Sequence, residues 1–186
     1  MLDDFNHCNK VMNKILSKRF YSENVAEIVV EAPLIARSRK AGHFVIVRVD
    51  EHGERMPLTI SDADVKQGTI TLVVQRIGVS SSKLCDLNAG DSVADLVGPL
   101  GKATDIRQFG TVVCACGGVG AAPMLPIAQA LKSAGNRVIT VLAARNKDLI
   151  ILYDQLAAVS DEIIVMTDDG SLGQKGLVTE GVEQVI

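Results

Sequence analysis

From residue 13 to about residue 106 the chain alternates short β-branched runs with polar turns. The runs NKILSKRFY, NVAEIVVEA, HFVIVRVD, PLTISDAD, TITLVVQRI and DSVADLV are separated by turn signals such as EHGE (51–54), VKQG (65–68) and LNAG (87–90). Short apolar runs bounded by Gly, Asn and Asp read as strands, and several at regular spacing predict an antiparallel barrel or sandwich. One helical piece interrupts them at Ser80–Leu87. After residue 107 the period changes. TVVCAC (111–116) reads as a buried strand, Pro123–Ala134 as a helix, and Gly135-Asn136 as a turn. Arg137–Ala143 is a second strand, Lys147–Val159 a second helix, Glu162–Thr167 a third strand, and Leu177–Ile186 the start of another helix. This βαβαβα order predicts a parallel sheet with right-handed crossovers. The expected division is an N-terminal extension (1–11), a β-barrel domain (12–106) and an α/β domain (107–186), with the boundary near Arg107–Gly110. Met12 is a candidate second start, and neither an internal repeat nor a low-complexity tract is found.

Composition sharpens this picture. Hydrophobic residues make up 47% of the 186-residue chain, aromatics only 3%, and Trp is absent, so the core must be built from Val, Ile, Leu and Ala. Such a core suits parallel strands buried on both faces. The net charge of −3 comes from interspersed acids and bases, which argues against nucleic acid as a partner. No apolar stretch reaches bilayer length, and the acidic, polar start MLDDFNHCNKV is unlike a signal peptide, so neither a membrane nor secretion is expected. Cys8, Cys85, Cys114 and Cys116 do not form a disulfide framework, and a cytoplasmic location is expected. Cys114 and Cys116 share one strand face without nearby partners, so buried thiols are expected rather than metal ligands. His7, His43 and His52 are expected at the surface or in turns.

Four short stretches carry candidate chemistry. GGVGAAP (117–123) follows the first parallel strand and opens its helix, at the sheet edge where ligands bind. Its glycines allow close backbone approach, free N–H groups at the helix start favour an anion, and Pro123 suits the first turn. An ordinary strand-to-helix turn is the alternative. Arg55-Met-Pro-Leu-Thr-Ile-Ser61 places an arginine beside a hydroxyl-bearing strand, suited to a phosphate held bidentately and a flat ring against the strand. The alternative is an edge-strand surface arginine. Gly78-Val-Ser-Ser-Ser82 opens a short helix and makes a second anion site by the same logic, unless Ser80 or Ser81 merely caps it. Gly98-Pro-Leu-Gly101 reads as a stiff turn closing the barrel.

In this order and context the four stretches resemble the ferredoxin–NADP reductase superfamily. Arg55–Thr59 is similar to its flavin motif in an R-x-P-[LI]-[ST] variant, Gly78–Ser81 to its G-x-x-[ST] pyrophosphate motif, Gly98–Gly101 to its G-P-x-G turn, and Gly118–Pro123 to its G-x-G-x-x-P loop. Longer stretches, ERMPLTISD, GTVVCACGGVGAAPMLPIAQAL, AARNKDLIILYDQL and TDDGSLGQKGLVT, resemble the electron-transfer subunits of dihydroorotate dehydrogenase. They also resemble the small FAD- and NAD-binding subunits of NADH-dependent ferredoxin–NADP oxidoreductases, more closely through EAPLIARSRKAGHFVIVRVDEHGERMPLTI. The resemblance covers roughly residues 12–182.

It implies a Greek-key flavin-binding barrel followed by a nucleotide-binding α/β domain, in an oxidoreductase that passes a hydride between NAD(P)H and FAD and then single electrons to an iron–sulfur partner. Arg55 and Ser80, Ser81 and Ser82 are expected at the FAD pyrophosphate, beside Gly78. Pro57, Leu58 and Thr59 are expected against the ring, with Leu58 and Thr59 open to a one-residue shift of register. Thr59 is the catalytic candidate near the flavin N5/O4 edge. Val73 and Gln75 are expected near the ribityl or adenosine part, and Gly118, Val119, Gly120 and Ala121 at the NAD pyrophosphate. Arg145, after the second parallel strand, suits a ribose 2′-phosphate, whereas Asp148 would repel one and the resemblance favours NAD(H) over NADP(H). Asp168-Asp169-Gly170-Ser171 borders the ligand cleft or forms an Asx-type turn.

The pattern also breaks. The relatives continue past the end of this chain into a cysteine-rich tail that holds a [2Fe–2S] cluster, and no cysteine here has that spacing. Three parallel strands in order 3-2-1 would leave TVVCAC at an unprotected edge, and GVEQVI reads as the middle of a helix without a stop signal. The expectation is a truncated chain, or a strand supplied by another one. A larger iron–sulfur or flavin catalytic subunit is the expected partner, with a homo-oligomer also open. The alternative function is a flavin-holding or assembly module without turnover of its own.

Overall fold

In the computed structural model, which describes residues 13–186, the two periods become two sheets. Seven antiparallel strands form the first: β1 (Asn13–Ser22), β2 (Val25–Glu31), β3 (Phe44–Arg48), β4 (Met56–Asp64), β5 (Thr69–Gln75), β6 (Ser92–Val93) and β7 (Asp95–Leu100). Their order is β6-β1-β2-β5-β4-β3-β7. The two outermost strands, β6 and β7, are separated in the chain by Ala94 alone, so the sheet curls into a nearly closed barrel. The alternation seen in the sequence points Ile70, Leu72 and Val74 of β5 into the barrel core with Ile28, Val45 and Ile60. Thr71, Val73 and Gln75 therefore lie on the outer face.

Two helices dock on the barrel. α1 (Pro33–Ser38) buries Ile35 and Ala36, and α2 (Val79–Asp86) buries Leu84 and Cys85. α1 has no counterpart in the sequence reading, because six residues are too few for a helical period to show. Gly98-Pro-Leu-Gly101 is corrected as well: it is not a turn but mostly strand β7, paired with β3, and only Gly101 turns away, at φ +88. Gly98 is glycine for packing, since a Cβ there would stand 2.6 Å from Val45 Cγ1.

The second sheet is wholly parallel: β8 (Thr111–Gly117), β9 (Arg137–Ala144), β10 (Glu162–Thr167) and β11 (Gln174–Lys175), in order β11-β10-β9-β8. The expected 3-2-1 order is present with a two-residue fourth strand added, and β8 is the edge among the described residues. α3 (Ala121–Ser133), α4 (Tyr153–Val159) and α5 (Val178–Glu183) complete this half. The helix expected over Lys147–Val159 is split, with a 3-10 turn at Lys147–Leu149 and α4 beyond it. Leu152 breaks it, buried with a left-handed backbone at φ 57. α5 runs to Glu183. Glu180 accepts the Leu177 N–H at 2.7 Å to start it, and Val185 N–H bonds Val182 O at 3.0 Å beyond it.

A second core joins the halves: Val25 and Val73 of the barrel pack with Cys114, Cys116, Leu125, Leu142 and Leu156. The thiols are structural. Burial pushes Cys116 up to about 12 and raises Cys114 and Cys85 too, and no metal-holding cluster occurs among the described residues. Cys8 and His7 lie outside them. No described helix is long and apolar enough to cross a membrane.

Candidate functional site

Two clefts meet where the barrel faces the parallel sheet. The first, of about 410 Å³, is bounded by Pro57, Leu58 and Thr59 of β4, by Val73–Gln75 of β5, by Ile77 and Ser81, and by Val119, Gly120, Ala122 and Pro123 across from them. Met56 and Leu58 pack against the barrel core. Strand alternation turns the side chains of Pro57 and Thr59 outward, while Leu58 and Thr59 both line the cleft.

Arg55 stands just ahead of β4 with its side chain 67% exposed. Its guanidinium is 3.7 Å from Asp95, but that carboxylate is already held by Arg48 at 2.5 Å, which keeps it below the usual carboxylate range. Arg55 is thus loosely tethered and available to an anion. Ser80 donates to Glu54 at 3.0 Å. Ser81 caps α2: its hydroxyl accepts the N–H groups of Ile77 and Gly78 at 3.0 Å each and donates to Gly78 O at 3.1 Å. Its hydroxyl proton is therefore spent on the chain, and what this turn offers an anion is the N–H groups of Val79, Ser80 and Ser81, which lack intrahelical partners. Gly78, Ser80 and Ser82 belong to the same turn but do not line the cleft.

The second cleft, of about 390 Å³, lies at the carboxyl edge of the parallel sheet. Gly117–Val119 follow β8, Ala143–Arg145 end β9, Asp168 follows β10, Leu177–Thr179 open α5, and Val25 and Gln75 come from the barrel. Asp168 and Arg145 are neighbours: the N–H groups of Asp168 and Asp169 bond the carbonyls of Ala144 and Arg145 at 3.1 and 3.3 Å. The loop beyond is stiff. Ser171 accepts the Lys147 N–H at 2.8 Å and donates its own to Asp169 at 2.9 Å, and Thr167 donates to Leu172 O at 2.7 Å. The Ser171 hydroxyl and N–H hold the Asp169 carboxyl below its ordinary range. The Asx-type turn is therefore made by Asp169, while Asp168 borders the cleft; Asp148 does not line it.

A Cβ on Gly78, Gly118 or Gly120 would meet no atom within 4 Å, as also at Gly90 and Gly110 away from the clefts, so contact with the fold does not exclude a side chain there. Of the first three, Gly118 alone also needs its freedom, at φ +51. Ala121 leaves the expected set. Its side chain is fully buried and its N–H bonds Gly118 O and Val119 O, because it is the first residue of α3 and packs on the second core. Val25, Ile77 and Leu177–Thr179 had no signal in the sequence, since tertiary packing alone carries them to the clefts. Gln75 and Val119 line both clefts.

No family model matches the chain. It is 40% identical over 174 residues to the dihydroorotate dehydrogenase B (NAD(+)) electron transfer subunit homolog of Thermotoga maritima, covering 94% of this chain and 61% of that protein. It is 31% identical over 176 residues to the dihydroorotate dehydrogenase B (NAD(+)) electron transfer subunit of Geobacillus thermodenitrificans, covering 91% of this chain and 68% of that one. A solved structure of NADH-dependent reduced ferredoxin–NADP oxidoreductase superposes with a TM-score of 0.89 at 39% identity, over 94% of this chain and 63% of its own. The chain thus spans about three fifths of the length of the first of these relatives.

Proposed function

This chain belongs to the ferredoxin reductase-like family that includes the electron-transfer subunits of dihydroorotate dehydrogenase B, and from that premise we propose that it is an FAD-dependent NAD(P)H oxidoreductase module. Residues 12–106 form its flavin-binding half and 107–186 its nicotinamide-binding half. The observation that carries this reading is the meeting of the two clefts over Gln75 and Val119, each bordered by a glycine-led turn with room for a phosphate. FAD, when bound, accepts a hydride from a nicotinamide and releases electrons singly.

The chain's part is binding and orientation. Arg55 swings from Asp95 to the FAD pyrophosphate, where a guanidinium gives paired charge-assisted hydrogen bonds. The first turn of α2, Gly78 to Ser82, adds backbone N–H groups, and Glu54 releases Ser80 as the anion arrives. Pro57, Leu58 and Thr59 back the ring, and the Thr59 hydroxyl faces its reactive edge; Val73 supports the ribityl chain. Gly118, Val119 and Gly120 take the nicotinamide-side pyrophosphate. NAD(H) is the favoured cofactor of the second cleft, because Asp168 lines it together with Arg145 and a carboxylate there would oppose a ribose 2′-phosphate. The partner is a larger iron–sulfur or flavin subunit.

A second reading is a flavin-holding module without turnover of its own. An anaerobic visible spectrum of the FAD-loaded chain tests both. Flavin bands that bleach with NADH support the oxidoreductase, bands that persist support the holding module, and failure to retain flavin after reconstitution removes both.

A further inference from the structure

Gln75 is the last residue of β5 and lies on its outer face, where it is paired in register with Val25. It is half-buried, and its side-chain amide forms no hydrogen bond within the described residues. An amide offers two donors and one acceptor with two lone pairs, and on Gln75 these stay open to water or a ligand rather than being spent on the fold. Val119, the other residue common to the two clefts, is apolar and packs against the second core. Gln75 is therefore the one hydrogen-bonding side chain that reaches both clefts.

We infer that the Gln75 amide is a positioning and specificity-determining group that reads the carboxamide of the nicotinamide ring. This rests on the reading of the two clefts given above. Hydride transfer requires the donor and acceptor rings to be in near contact, about 3–3.5 Å between reacting atoms. Gln75 and Val119 are the residues common to both linings, so the junction of the two clefts lies beside them. A pyridine carboxamide presents one acceptor and an NH₂ donor. The Gln75 Nε2 donates to that acceptor and its Oε1 accepts from that donor, a complementary pair that a pyridine carboxylate does not satisfy. Val119 supplies the apolar contact on the other side. Aimed this way, the amide fixes which face and which end of the nicotinamide meets the first cleft, and it leaves the rest of the dinucleotide to Gly118, Gly120 and Arg145.

The test is calorimetric titration of the FAD-loaded chain with NAD⁺, with ADP-ribose, which lacks the nicotinamide, and with nicotinic acid adenine dinucleotide, which carries a carboxylate in its place. The variants are Gln75→Leu, and Gln75→Asn, which keeps the amide but withdraws it by one methylene. Loss of two hydrogen bonds predicts an NAD⁺ Kd raised about 10- to 100-fold in Gln75→Leu with ADP-ribose affinity unchanged, both titrated at saturating FAD because Gln75 also lines the first cleft. The parent prefers NAD⁺ over the carboxylate analogue, and that preference disappears in Gln75→Leu and shrinks in Gln75→Asn. Parallel loss of NAD⁺ and ADP-ribose, or unchanged NAD⁺ affinity, overturns the assignment of Gln75 while the second cleft stands. A parent chain that holds FAD but binds neither NAD⁺ nor ADP-ribose overturns it together with the reading of that cleft.

Discussion

The turns that open α2 and α3 solve one physical problem in two ways. Both follow the end of a β-strand, and both begin at glycines with open space above them. The α2 turn is built with side chains: Ser81 closes it on Gly78, Glu54 holds the Ser80 hydroxyl, and Arg55 offers a positive charge nearby. The α3 turn is built with backbone alone: a 3-10 turn at Gly118–Gly120 runs into a helix whose first residue, Ala121, is buried in the second core. The first can be tuned or emptied by moving a few exposed side chains. The second is set by the packing of the sheet, so a change there is felt by the fold as well as the site.

The largest expected effect breaks the first turn's charge. Arg55→Ala removes paired charge-assisted hydrogen bonds of about 1.5–3 kcal/mol each and should weaken FAD binding by about 100-fold or more, read by flavin fluorescence titration. Thermal unfolding of the flavin-free chain should not move, since the guanidinium is exposed and Asp95 keeps Arg48. A matching loss of stability would mean that Arg55 is structural.

Next comes Gly118→Val, which strikes the second turn. A β-branched residue at φ +51 costs roughly 1–2 kcal/mol or more in strain, so the midpoint of unfolding should fall by about 2–4 °C or more. Dinucleotide affinity should drop at least about tenfold, because the added side chain fills the open space, while FAD retention persists. If FAD is lost together with the dinucleotide, the two clefts are not independent and the contrast fails.

Ser81→Ala and Ser80→Ala separate capping from binding within one turn. Removing the cap should cost about 1 kcal/mol, a fall of about 2–4 °C, whereas Ser80→Ala should leave stability within about 0.5 kcal/mol. Equal melting temperatures for the two variants would deny Ser81 its capping role.

The smallest effect concerns the loop that walls the second cleft. Asp169 is held below its ordinary value by Ser171, so its contribution to stability is present above the unfolded value near pH 4 and is lost as pH falls through the lowered folded value. Asp169→Asn should therefore melt slightly below the parent from about pH 5 to 8, and the gap should close in more acid solution. A gap that stays constant down to the most acid solutions would show that the carboxylate does not hold this loop.

Much of the architecture was legible because each half obeys one period. β-branched runs with turn residues between them marked the barrel strands, and the change to strand–helix alternation after residue 107 marked the parallel sheet. Elements too short to have a period escaped: α1, and the two residues of β11. The Lys147–Val159 helix failed for another reason. The bend at Leu152 serves burial in the second core, and no local propensity announces a left-handed leucine. Of the candidate residues, the glycines and serines were visible because turn chemistry is local. Ala121 was misjudged because a small residue in a glycine-rich loop looks open until the packing beneath it is seen. Val25 and Leu177–Thr179 reach the second cleft from opposite ends of the chain.

By itself the sequence determined the class of each half and the four motif stretches and their order. All of these are written in residue type and near-neighbour spacing. Only the tertiary structure decided that Pro57 and Thr59 point away from the barrel core, that Asp168 rather than Asp148 joins Arg145 at the second cleft, and that the two clefts share Gln75. Those outcomes depend on which face each strand buries and on how one apolar core locks the barrel to the sheet, and both are set by contacts between residues far apart in the chain.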